Sequence, residues 1–399
     1  MVKEMKITKN LVMQLFKAAS MQRWNDKVRP IELCELDKQA HKMIIAYMLA
    51  RLEEKHAPVC WHEIIEGGIF ELLQRTVLTD LRPQIFHRIR EDEEKYRSLN
   101  EWAFEELSGA IQPLGEDFCR RYREYFQASD DSTSKRIISA SHFYATKWEF
   151  NFIERANPEG YEITQIRQKV QRDNEKYYDL EGMKLLMLYP RYNDFINLCG
   201  ELRFQQRWSA TPRLPKTSVL GHMLMVAILS YLYSLQIGAC DTRRKNNFYT
   251  GLFHDLPEVL TRDIISPVKK SSSGLAELIK QYEKEEMQKV YDLLDPEWHD
   301  DIRLFTENEF SSIVHIDGDV VQKSSEDISR EFNHDKYRPR DGALVKAADE
   351  ICAFVEAYTS TRNGISAPEL GNAMEHIRDS YRGRKIAGIS FDELLGEFQ

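Results

Sequence analysis

The sequence predicts an all-α protein built from two helical domains in tandem, and three observations carry that expectation. Apolar residues recur at three- and four-residue steps in stretches such as QAHKMIIAYMLARLEE, LIKQYEKEEMQKVYDLL and LVKAADEICAFVEAYTS, which is the period of an amphipathic helix. Period-2 alternation, the mark of a half-buried strand, is scarce. At 399 residues the chain exceeds what one hydrophobic core usually organises, so two cores are expected.

Internal similarity says where the two cores fall. QRWNDKVRP, residues 22–30, returns as QRWSATPRLP from residue 206, so Arg23 and Arg207 stand 184 residues apart. DKQAHKMIIAYMLA resembles VLGHMLMVAILS, which sets His41 against His222 at a spacing of 181, and TVLTDLRPQI resembles EVLTRDIISPV, which sets Asp80 against Asp263 at 183. ISASHFYATKWEF resembles VKAADEICAFVEA, placing His142 over Asp349 at 207. Spacings that stay near one value through three motifs, in the same order, point to duplication. The expected layout is a first helical domain over 1–155, a helical linker over 156–182 and a second domain over 183–399. The linker stretch YEITQIRQKVQRDNEKYYDLEG has the charge density of a solvated helix. Loops are marked by DDSTSK, SATPRLPKTS, KSSSG and NHDKYRPRDG.

Composition narrows the functional classes. A net charge of -9 argues against general nucleic-acid binding, which depends on clustered Lys and Arg. Six scattered cysteines with no C-x-x-C pair read as reduced thiols of a cytoplasmic protein. The N-terminus MVKEMKITKNLVMQLFKAAS interrupts its apolar positions with charge, so no secretory leader is expected. SVLGHMLMVAILSYLYSLQIGAC is long and nearly uncharged, but it carries a histidine, serines and a glutamine. It reads as the buried central helix of a large helical domain rather than a membrane span.

Chemistry concentrates in GLFHDLPEVLTRDIISPVKK, residues 251–270. Adjacent His and Asp occur three times, at His254-Asp255, His299-Asp300 and His334-Asp335. The second follows DPEW at a helix end and the third lies in a polar loop, so both read as solvated. His254-Asp255 differs because it belongs to an ordered set with His222 in an apolar helix and Asp349 inside VKAADEICAF. Two imidazoles and two carboxylates make a cage for a divalent ion with positions left open for water or a phosphate oxygen. An ionised Asp among apolar neighbours is costly alone and is accommodated as a ligand. Glu258, one helical turn after His254, is placed to orient or deprotonate a metal-bound water or to protonate a leaving group. Arg207 offers a phosphate clamp and Trp208 an aromatic plate, while Asp263 and Lys269 would line the mouth of the cleft. In the first copy Glu71 and Leu72 stand at the places of His254 and Asp255, and Arg75 at that of Glu258. A leucine cannot ligate a metal, so that copy is expected to have kept the scaffold and lost the site.

The order H…HD…D with HDLPEVLTRDIISPVK resembles the HD-domain metal-dependent phosphohydrolases, in particular their bacterial 5'-deoxynucleotidase-like branch, over roughly residues 200–365. The resemblance implies two tandem HD-like helical domains with the intact site in the second. It implies one divalent ion (Mn, Co, Mg, Fe, Ni or Zn) held by His222, His254, Asp255 and Asp349. It assigns catalysis to Glu258 and Asp255, and the nucleotide pocket to Arg207, Trp208 and Asp263; Lys269, read from its residue type alone, suits the phosphate. Members of that family commonly pair as homodimers, so an intrachain pseudo-dimer or a homodimer is expected. Here Val219-Leu220-Gly221 precedes His222, where those nucleotidases carry an acidic neighbour. The expected activity is hydrolysis of a small-molecule phosphomonoester, a nucleoside or deoxynucleoside 5'-monophosphate, by a metal-activated water. The alternatives are a diesterase acting on a cyclic or oligonucleotide, a nucleotide-binding regulator without turnover, and a purely structural helical repeat.

Overall fold

A computed structural model describes residues 5–79, 81–128, 132–262 and 274–399. The chain forms two compact units. The first is Met1–Glu181 with Tyr381–Lys385 and Ser390–Gln399, and the second is Gly182–Ser380 with Ile386–Ile389. Both are helical, as the apolar periodicity predicts. Among the described residues, strands are confined to an antiparallel pair, β1 (Ile313–Ile316) and β2 (Asp319–Gln322), and to the two-residue segments β3 (Lys385–Ile386) and β4 (Ile389–Ser390).

The first unit contains α1 (Lys9–Phe16), α2 (Glu35–Glu53), α3 (Trp61–Leu78), α4 (Pro83–Arg90), α5 (Glu93–Ile111), α6 (Glu116–Gln127), α7 (Thr133–Ala156) and α8 (Ile163–Glu175). Every residue of α2 except Arg51 is buried. This helix is central because α3 and α7 pack against it. Its charged residues therefore need partners inside the unit.

The second unit contains α9 (Glu181–Leu188), α10 (Pro190–Glu201), α11 (Val219–Gln236), α12 (Asp241–Phe253), α13 (Glu258–Thr261), α14 (Leu275–Asp292), α15 (His299–Thr306), α16 (Gly342–Arg362) and α17 (Pro368–Tyr381). The central helix is α11, whose Ser218 N-cap accepts the Gly221 N–H at 2.9 Å. It is apolar and long enough to cross a membrane, yet 89% of it is buried within the protein, against α12 and α16. Its hydrophobicity is used for packing.

Both units enter their central helix through the same local device. Gln22 bridges Cys34 and Gln206 bridges Ser218, each pair one residue before the helix begins. The Arg23 N–H donates to Leu33 O at 2.7 Å, and the Arg207 N–H to Thr217 O at 3.0 Å. Trp24 and Trp208 both adopt left-handed backbone conformations, with φ of 53° and 58°.

Two segments sit differently from the layout drawn from sequence. In α8, Ile163, Ile166 and Val170 form an i, i+3, i+7 stripe that packs with Leu33, Phe150 and Ile153, so the stretch read as a solvated linker is part of the first unit. Residues 390–399, grouped by sequence with the second domain, include α18 (Phe391–Gly396) and also belong to the first unit. There Glu397 accepts the Lys9 N–H at 2.7 Å, and Phe391, Leu394, Leu395 and Phe398 are buried. Charge density describes the exposed face of α8 and misses its sparse apolar stripe. A chain that returns to its starting unit leaves no local mark.

The long segment between α15 and α16 is anchored by a buried ion pair, Arg243 with Asp341, both fully buried. Asp341 also accepts from Ser312 at 3.0 Å and from Ser325, its N–H donates to Asn247 at 2.7 Å, and it caps α16. Gly342 follows because a Cβ there would lie 2.3 Å from the backbone carbon of Phe310. This anchor sets where α16, and with it Asp349, begins. Replacing Asp341 with Ala leaves the Arg243 charge buried with only serine hydroxyls and carbonyls, so urea denaturation of the Asp341→Ala variant should show the second unit weakened by about 3–5 kcal/mol.

Candidate metal centre

The capped first turn of α11 places His222 inside the unit with its side chain fully buried. Its Nε2 lies 3.1 Å from Asp349 Oδ1 and its Nδ1 3.6 Å from Glu356 Oε1. Asp349 and Glu356 are seven residues apart on α16, two turns along one face. His254 directly follows α12, and its Nδ1 lies 2.8 Å from the Gly251 carbonyl. A carbonyl only accepts, so Nδ1 carries the proton and Nε2 turns its lone pair inward. That Nε2 is buried without a hydrogen-bond partner among the described residues. The two rings are 5.6 Å apart.

His222, His254 and Asp349 each offer one ligand atom, and all three atoms lie within 4.8 Å of one another. This is a His/Asp group able to hold a metal ion. Asp255 stands beside it, with Oδ2 3.2 Å from His254 Nε2 and 3.6 Å from Arg207 Nη1. Glu258 opens α13 half-buried, and its carboxylate is among the charges acting on the Arg207 guanidinium. Asp263 and Lys269 lie outside the described residues.

Glu356 organises the other side. It is only 2% exposed, accepts the Trp208 indole N–H at 2.9 Å and the Thr217 hydroxyl at 2.8 Å, and has Arg207 and Arg213 each at 3.6 Å. Trp208, expected from sequence as an aromatic plate, is tied by its edge to this carboxylate. Lys346 donates to Asp349 Oδ2 at 3.0 Å, lies 3.4 Å from Glu350 and stands over the Phe310 ring.

The electrostatics describe a site short of positive charge. Burial opposes protonation of His254, but Asp255 and Asp349 outweigh it and push the imidazole up to about 9. Burial likewise opposes ionisation of Asp255, yet His254 and Arg207 hold it down at about 2. Asp349 is held well below the usual carboxylate range, against the effect of burial, by His222 and Lys346. Among the described residues, the carboxylates of Asp255, Glu258, Asp349, Glu350 and Glu356, with Glu309 beside Asp255, outnumber the cations of Arg207, Arg213 and Lys346. The nitrogen and oxygen donors, with Asp255 Oδ2 3.2 Å from His254 Nε2 among them, fit a divalent ion.

Comparison with known proteins then gives the family. The sequence profile of the HD domain matches residues 199–378. Residues 199–378 are an HD domain. Over 185 residues the chain is 24% identical to a 5'-deoxynucleotidase of Pasteurella multocida, covering 44% of this chain and 77% of that protein. A 5'-deoxynucleotidase of Vibrio atlanticus is 24% identical over 204 residues, covering 50% and 91%. One of Photobacterium profundum is 25% identical over 189 residues, covering 47% and 83%. With this HD domain the chain is a metal-dependent hydrolase of the HD phosphohydrolase type.

Sequence reasoning missed Glu356, Arg213, Lys346 and Glu309 in the HD domain. Glu356 had a signal, an acidic residue in the apolar run ICAFVEAY two turns beyond Asp349. Lys346, one turn before Asp349, could have been read the same way. Glu309, whose carboxyl is pushed up by burial and by Asp255, comes from a loop with no motif.

The closeness of α11 and α12 depends on Gly251, where a Cβ would lie 2.7 Å from both the N and Cα of Ala227. Neither contact can yield without separating the helices. The Gly251→Ala variant should lose about 1–3 kcal/mol in thermal or urea unfolding and bind the metal more weakly, because His254 rides on the displaced end of α12.

Proposed function

We propose that the second unit hydrolyses a nucleoside or deoxynucleoside 5'-monophosphate to nucleoside and phosphate, using one divalent ion held by His222, His254, Asp255 and Asp349. The observation that carries this is the convergence of His222, His254 and Asp349 ligand atoms within 4.8 Å of one another. The substrate class is supported by the relatives, which are named 5'-deoxynucleotidases. The mixed N and O donor set suits first-row ions such as Mn, Co, Fe, Ni or Zn, with Mg also admitted by the carboxylates. The ion, when bound, supplies Lewis acidity to a water and to a phosphoryl oxygen.

The chain's own residues supply the rest. Glu258 takes a proton from the attacking water. Water oxygen adds to phosphorus, the ester P–O bond breaks, and the departing oxygen takes up a proton to leave as the alcohol. Arg207, 3.6 Å from Asp255, is held so that its guanidinium can receive a phosphate oxygen, and Lys269 is the second residue proposed for the phosphate. Glu356 orients His222 and holds Arg207 and Trp208 in place.

The deciding measurement is phosphate release from a panel of ribo- and deoxyribonucleoside 5'-monophosphates with Mn, Co or Mg added. Turnover should need the metal and drop by about 10²–10⁴-fold in Glu258→Ala. It should vanish in Asp255→Ala; release that persists undiminished there, or in excess chelator, would sink the proposal. A separate calorimetric titration should show Glu356→Gln weakening metal affinity by about 10–100-fold, because it orients a ligand without touching the ion.

A further inference from the structure

The first unit repeats the second closely enough for its residues to be paired one by one. The shared entry device pairs Cys34 with Ser218, so the fourth residue of α2 corresponds to the fourth of α11. Lys38, not His41, therefore stands where His222 stands. His41 lies one turn further on, its ring packed edgewise on Trp148 at 4.8 Å. Thr79 and Arg262 both end their helices with positive φ, 49° and 64°, which pairs Glu71 with His254, Leu72 with Asp255 and Arg75 with Glu258. On α7, His142 and Glu149 are seven residues apart, as Asp349 and Glu356 are on α16. The Trp24 indole donates to Glu149 at 2.9 Å, matching the distance from Trp208 to Glu356.

At the paired positions the chemistry is exchanged. Lys38 Nζ is hydrogen-bonded to His142 Nδ1 at 2.6 Å, in the place of the contact between His222 and Asp349. Glu71 accepts from Lys42 Nζ at 2.9 Å and from the Tyr125 hydroxyl at 2.9 Å. Both lysines are fully buried. Arg23 bridges Glu35 at 2.7 Å and Glu149 at 2.8 Å, and Arg75 Nε lies 3.4 Å from Glu35. The cluster sets Arg23, Lys38, Lys42 and Arg75 against Glu35, Glu71 and Glu149. It has no shortage of positive charge for an added cation to fill, and Leu72 removes one donor outright.

We infer that the first unit is a metal-independent counterpart of the HD domain, in which the Lys38 amine, paired with His142, fills the place that the divalent ion takes in the second unit. Each chain then holds one ion, and removing it empties the second unit's site while the first keeps its polar core assembled. The inference rests on the ligand set proposed above, and metal counting separates the fate of the two.

The test strips the full-length chain with chelator, reloads it with Co or Mn, removes the excess and measures metal per chain by plasma mass spectrometry. Wild type should carry one ion. His222→Ala and Asp349→Ala, checked for folding by circular dichroism, should carry none, and Lys38→Met and His142→Ala should still carry one. Anomalous diffraction from cobalt-loaded crystals should show a single site, in the second unit. Two ions in wild type, or a cobalt peak beside Lys38, would overturn the inference. No ion in wild type would instead remove the ligand reading of the second unit, and with it the contrast between the units.

Discussion

A carboxylate buried at the base of each unit is the constraint on which the rest depends. Glu356 is nearly inaccessible, and an isolated charge there would be prohibitively costly. It is tolerated because an indole N–H, a threonine hydroxyl, two guanidinium groups and a histidine converge on it. Satisfying that one anion places Arg207, Trp208 and His222, which come from two separate parts of the chain. Glu149 does the same for Arg23 and Trp24 in the first unit. The Arg-Trp motif is thus explained first as support for a buried acid, and any contact of Arg207 with phosphate is added to that duty.

Above this shared base the units solve their charge balance in opposite ways. In the second, carboxylates outnumber cations, and the imidazole of His254 is pushed toward protonation as a substitute for a missing positive charge. In the first, Arg23, Lys42 and Arg75 supply that charge from within, against Glu35, Glu71 and Glu149. Burial drives the Lys38 and His142 groups well below their ordinary values, and a short contact between an amine and a neutral imidazole is the arrangement such burial favours. A scaffold that demands positive charge at its centre can receive it from a bound ion or from its own side chains. Only the first option leaves open coordination positions for chemistry.

Rigidity at the second site comes from close backbone approach and a buried polar anchor. Gly251 lets α12 lie against α11, and the pair of Arg243 with Asp341 fixes the start of α16. Neither touches the candidate ligands, yet together they set the separation of His222, His254 and Asp349. Functional geometry here is inherited from helix packing, which is stiff because protein interiors are densely filled.

The sequence by itself determined the helical class, through apolar periodicity, and it kept His254, Asp255 and Glu258 together because they are near neighbours in the chain. Its two Arg-Trp pairs also mark the two places where the chain enters a central helix in the same local geometry. Three-dimensional packing decided what lies beyond such runs. Which residues of α2 and α11 correspond is set by where each helix is entered, so Lys38 and not His41 is the counterpart of His222, although the histidines match better as letters. Glu356, Arg213 and Lys346 joined the site because burial demands partners for charge, and partners are chosen in space. The return of residues 390–399 to the first unit is likewise a matter of which apolar surface was left to cover, a quantity that exists only once the chain has folded.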